Sequence, residues 1–226
     1  MRVKDENFLI WLCDKVNIFK FKFGPYAVVS SKMGWTTRSQ RSNFWNTKTE
    51  SKSTEKFSFV LASEQGDSAN VNAANNIETQ TFSEFGIYFA FRIENEWLLK
   101  ETKNFSAYIT VNRDTTDVWS LIMTATRGAR TDKSYEAVLS NGIRTIYIDP
   151  ITSNRKGEDK RNFPALGYEL VEDDKALCAL QYFGGGAFGL NKNIVWLRND
   201  LDQKMKIMLA AAMTAILEIR VEETSM

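Results

Sequence analysis

The segment Asn199 to Glu222 reads NDLDQKMKIMLAAAMTAILEIRVE, and its middle decides the fold. It holds no Gly or Pro and is rich in Ala, Met, Leu, Lys and Glu, the residues that lose least on entering a helix. Asn199 is placed to cap that helix, with Asp200 and Asp202 where the backbone dipole favours negative charge. From Ile207 to Leu217 only Thr214 is polar. A surface helix keeps a polar face, whereas a helix apolar all round must be covered all round. The run is about 16 Å long, roughly half a bilayer core, which argues against a membrane span. A lone helix in a strand-rich chain is covered on every side if it threads a closed sheet. Ala210 to Ala212 let strand side chains come close. Burial of about six large side chains contributes on the order of 10 kcal/mol before entropy is subtracted.

Upstream, short runs of aromatic and β-branched residues alternate with turn signals. Strands are expected at Asn17–Phe23, Tyr26–Ser30, Phe57–Ala62, Thr79–Phe82, Gly86–Ile93, Glu96–Glu101, Phe105–Val111, Val118–Thr126 and Tyr135–Leu139. Ile143–Ile148, Leu166–Val171, Leu177–Phe183 and Phe188–Leu197 complete the series. In Asn17–Phe23 the side chains of Phe19, Phe21 and Phe23 share one face. Gly24-Pro25, Asn112-Arg113-Asp114, Ser140-Asn141-Gly142 and Asp149-Pro150 read as turns. Glu6–Asp14 fits a short helix or a first strand equally. Lys32–Glu55 is polar and basic and reads as a long loop or irregular edge. Glu64–Asn76 (EQGDSANVNAANN) reads as a loop, and Thr152–Lys160 as a charged one. The expected architecture is one mainly β domain over residues 1–226. It is a closed antiparallel barrel of about twelve strands around one buried C-terminal helix at about 199–222.

Composition narrows the function classes. The chain has 226 residues, 43% hydrophobic and 25% charged, which suits one folded domain. A net charge of +1 selects no anionic partner in bulk, so any such affinity must be local. No nucleic-acid partner is expected. The absence of histidine removes Ser-His-Asp and Cys-His catalysis and imidazole-ligated zinc. No nucleophile–base pair is visible, so no enzyme activity, cofactor or metal is expected. Cys13 and Cys178 sit among apolar residues and read as buried free thiols, not as a disulfide framework. Met1–Ile10 mixes charge and apolar residues too early for a secretory leader, and Phe8–Cys13 is too short to span a membrane. The expected location is cytoplasmic.

Three motifs bear on binding. Gly184–Gly189 (GGGAFG) has dinucleotide-loop spacing, but strand-like residues follow it, so it reads as a hairpin turn. The pairs Asp173-Asp174 and Asp200/Asp202 read as turn and cap residues. Basic residues gather in two stretches: Lys32, Arg38, Arg41, Lys48, Lys52 and Lys56, then Arg127, Arg130, Lys133, Arg155, Lys156, Lys160 and Arg161. The first also carries Trp35, Phe44 and Trp45, and cations beside amphipathic aromatics suit an anionic interface.

The stretch from Asp200-Leu201-Asp202 through Lys204-Met205-Lys206, Met208 and Ala210–Ala212 resembles the end of the phospholipid scramblase and tubby-like superfamily. That family closes with a D-L-D-x-K-M-K-x-x-M run and an apolar helix. The resemblance covers about 60 residues and implies a twelve-stranded closed barrel around a C-terminal helix. Arg41-Ser42-Asn43-Phe44 with Thr47-Lys48 is similar to the R-S-N-F-x-G-T-K motif of tubby proteins, with Asn46 in place of the glycine. The arginine there helps bind a phosphoinositide headgroup. Carried over, the resemblance implies anionic membrane lipids as partners and ligand-binding roles for Arg41 and Lys48, with Arg38 and Lys32 beside them. A barrel for structural or protein contacts, and scramblase-like lipid transport, are the alternatives. For the latter, the acidic calcium-binding stretch of scramblases is replaced here by Gly189–Arg198, which has no carboxylate.

Overall fold

The computed structural model describes residues 7–12, 14–15, 21–44, 47–88, 91–129, 131–153, 164–184 and 193–224. Cys13, Trp45, Arg130, the Arg155–Arg161 cluster and positions 185–189 of the glycine-rich run lie outside them. Within them the chain is mainly β: a nearly closed antiparallel barrel of twelve strands and one C-terminal helix.

The start of the chain supplies both end strands of the sheet. β1 (Phe8–Leu12) and β2 (Asp14–Lys15) flank position 13. β1 pairs with β14 (Ile194–Arg198), and β2 pairs with β3 (Phe21–Phe23). Where it is described, the segment that could have been helix or strand is therefore strand, β1 at one end of the sheet and β2 at the other. Gly24 takes φ +50° in the turn from β3 to β4 (Tyr26–Met33). β5 (Thr37–Ser42) continues along the edge of β6 (Lys48–Ser63) that β4 occupies, so the two share one barrel position. The expected loop Lys32–Glu55 is thus an extended hairpin.

β7 (Ser68–Tyr88) and β8 (Phe91–Val111) are long, and they absorb four expected short strands; Gly86–Ile93 straddles the end of one and the start of the other. Glu64–Asn76 is a loop only at its start. From Ser68 it is strand, with Ala69, Val71 and Ala73 buried and Asn70 and Asn72 facing outward. β9 (Val118–Gly128), β10 (Thr131–Ser140), β11 (Thr145–Thr152), β12 (Leu166–Glu172) and β13 (Lys175–Phe183) complete the ring. Asp149-Pro150, expected as a turn, lies inside β11, where Pro150 stands opposite Tyr168.

The helix α1 runs Gln203–Thr224, not 199–222. Asp202 is the cap: its Oδ1 accepts the Met205 amide at 2.7 Å, satisfying one of the first-turn donors. Asn199 and Asp200 stay in the preceding turn, where Arg198 Nε donates to Asp200 Oδ1 at 2.7 Å. Every residue from Met205 to Ile219 is buried, Thr214 included, and Thr214 Oγ1 returns its proton to the Ala210 carbonyl at 2.8 Å. The helix packs mainly on β7 and β8, whose inward side chains there include Ala69, Ala73 and Ala107. Small residues on both sides allow that close approach. Its start is tied to the barrel rim by Lys204 Nζ, 3.2 Å from Asp114 Oδ2 and 2.8 Å from Asp117 Oδ2.

Candidate functional site

The register of β5 and β6 assigns each basic side chain a face. Phe57, Phe59 and Leu61 are buried, so odd positions of β6 point inward and even positions outward. Arg41 stands opposite Glu50, and Lys32 opposite Ser58, so both face outward, as do Lys48, Lys52 and Lys56. Arg38 stands opposite Ser53 and faces inward. The four residues singled out from sequence therefore do not form one pocket. Arg41 and Lys48 flank Glu50 on the outer face, and Lys48 Nζ is 3.4 Å from Glu50 Oε1. Lys52 Nζ donates to Glu78 Oε1 at 2.8 Å. Lys32 lies with Lys56 and Tyr108 at a shallow outer groove of about 320 Å³.

The hairpin that carries them is held by its own motif. Asn43 Oδ1 accepts the amides of Thr47 at 2.8 Å and Lys48 at 3.1 Å, while Asn43 Nδ2 donates to Thr47 Oγ1 at 2.8 Å. One asparagine thus fixes the turn and with it the spacing of Arg41 and Lys48. At this turn Phe44 is 92% exposed, and at the other end of β5 Trp35 is 94% exposed. Gly34 lets the chain approach β6 there, its amide donating to the Lys56 carbonyl at 2.7 Å.

The inward side forms a second feature. β5, β6 and β7, together with Ile219 of the helix, line an open cavity of about 520 Å³. Its lining includes Arg38, Ser53, Glu55, Asn75, Ile77 and Ile219. Beyond it, Glu101 accepts from Arg127 Nη2 at 2.9 Å and lies 3.3 Å from Lys103 Nζ. Burial alone would raise the Glu101 carboxyl, but the Arg127 hydrogen bond and the Lys103 charge outweigh it and hold it below its ordinary value. Asn75 and this rim cavity carried no signal in the sequence, because Glu64–Asn76 reads as a loop until the pairing of β6 with β7 is known.

Among the described residues no group of three or more His, Cys, Asp or Glu converges on a metal position. No helix among them is long and apolar enough to cross a membrane. Cys178 is buried and unbonded, and burial together with the nearby Glu169 pushes its thiol far up. The class defined by this fold is an antiparallel barrel lined by its own C-terminal helix, with a cationic hairpin on its outer face. No family model, no curated protein and no solved structure matches the chain.

Proposed function

We propose that the chain is a non-enzymatic, tubby-like module that binds anionic phospholipid headgroups, phosphoinositides among them, through the outer face of the β4–β6 hairpin. The observation that carries this reading is the exposure of Trp35 and Phe44 at the two ends of β5. Both rings are almost wholly in water, and aromatic rings beside cations settle readily at membrane interfaces. On the same stretch Lys32, Arg41, Lys48, Lys52 and Lys56 face outward against Glu50 and Glu78, a local excess of positive charge on a nearly neutral chain. An arginine fork at Arg41 and a lysine at Lys48 suit a phosphate monoester. Phe44 and Trp35 would rest at the depth of the headgroups.

Flotation with vesicles of phosphatidylcholine, with and without phosphatidylinositol bisphosphate, tests the proposal. The chain is expected to float only with the anionic vesicles, with binding that weakens as salt rises. The double variant R41E/K48E is expected to lose most of it, and W35A/F44A part of it. Equal flotation with neutral vesicles, or no effect of the charge reversal, would exclude the headgroup role.

A further inference from the structure

Arg38 and Glu55 lie on the inward face of the rim cavity, on neighbouring strands and one step out of register, so their Cα atoms are about 7–8 Å apart. Among the described residues neither has an ion-pair partner, and they do not pair with each other. The next charges along the same face, Glu101, Lys103 and Arg127, are already joined. Directly opposite Glu55 stands Asn75. Its residue is only 6% exposed and it lines the cavity, yet its carboxamide makes no hydrogen bond among the described residues. The amide is thus open to the cavity and free to hydrogen-bond a molecule held there. The two isoleucines, Ile77 and Ile219, supply apolar wall between these polar groups.

We propose that this cavity binds a small linear zwitterion, an oxyanion and a primary ammonium joined by a short aliphatic spacer. The oxyanion lies against the Arg38 guanidinium, the ammonium against the Glu55 carboxylate, and Asn75 hydrogen-bonds the molecule between them. Lys52 also reaches the lining, but its ammonium is held outward by Glu78, so Arg38 and Glu55 set the charge of the site. A simple anion would meet Glu55 and a simple cation would meet Arg38, so only a molecule with both ends matched leaves neither charge opposed. The volume lies within the range of small-molecule sites. The oxyanion can be a carboxylate, as in a free amino acid, or a phosphate, as in phosphoethanolamine. The site faces inward, on the opposite side of the sheet from Arg41 and Lys48, and is independent of the headgroup reading.

Calorimetric titration of the purified chain with glycine, β-alanine, γ-aminobutyrate and O-phosphoethanolamine tests the proposal, with butyrate, inorganic phosphate and butylamine as single-charge controls. At least one zwitterion is expected to bind at millimolar or tighter affinity and the controls not to bind; which zwitterion wins separates the carboxylate from the phosphate source. R38Q and E55Q alter partly exposed positions and are each expected to weaken that binding about ten-fold, the loss of one charge-assisted hydrogen bond. E55Q is expected, in addition, to admit the anionic controls, a reversal that a merely structural role would not produce. Absence of binding by all four zwitterions, controls that bind as well as they do, or unchanged binding in folded E55Q overturns the inference. Vesicle flotation by R38Q and E55Q is expected to be unchanged, so failure here and failure of the headgroup reading are separate results.

Discussion

Asn43 holds the turn between β5 and β6 with three side-chain hydrogen bonds, all to the segment that begins Thr47-Lys48. Asn43→Ala is expected to lower stability by about 1 kcal/mol, read as a lower urea midpoint at unchanged slope. It is also expected to weaken vesicle binding without removing a charge, because Arg41 and Lys48 lose their fixed spacing. Gly167 shows a different constraint. A methyl group there would run into the Leu180 backbone carbonyl on β13. Gly167→Ala is expected to cost about 1–3 kcal/mol, since a strand must move to admit one carbon. Reading from sequence singles out Arg41 and Lys48 but cannot assign their faces. The same stretch reads as a loop, and only the alternation of β5 sends Arg38 inward and Arg41 outward.

At the scale of elements, the helix was legible and the long strands were not. Its apolar run is uniform enough that only enclosure satisfies it. Leu209→Ala is expected to cost about 2–5 kcal/mol, as for any large buried side chain cut back to a cavity. Ala211→Leu overfills the approach to the strands and is expected to cost about 1–3 kcal/mol. Both are measured by denaturant unfolding. The helix start was misplaced by four residues because Asn199 and Asp202 are both good caps, and only the ion pair with Arg198 shows that Asp200 belongs to the turn. The strand starting at Ser68 was missed for a physical reason. Strand readings weigh large β-branched and aromatic side chains, whereas β7 turns Ala69 and Ala73 toward the helix and Asn70 and Asn72 toward water. Its pattern has the right period but carries little hydrophobic contrast.

Carboxylates at the rim make the stability of the whole molecule sensitive to acid. Hydrogen bonds from the Thr116 hydroxyl and amide, then from Lys204, hold Asp114 at about 2. Asp117 is lowered chiefly by Lys204 and then Asn141, and Glu172 by Arg144. Their ordinary values are 3.8 and 4.5, so the folded forms keep the charge to lower pH than the unfolded chain does. The stabilisation is complete above about pH 5 and is lost as pH falls toward 2. Thermal melts between those limits are expected to show this fall, and D114N/D117N is expected to show less of it. At the alkaline end Tyr26 behaves oppositely. Burial first, and Asp67 second, push its phenol up to about 12, so its contribution is present below pH 10 and lost above it.

Translation runs from the first strand to the last, and the segment that fills the barrel follows all of them. Until residues 205–219 have emerged, the strands have nothing to close upon, and β1 must wait for β14 before its edge is covered. A growing chain would therefore hold a half-made, sticky sheet for most of its synthesis. Cells are expected to need a holding chaperone for this protein before the helix docks, and little afterwards.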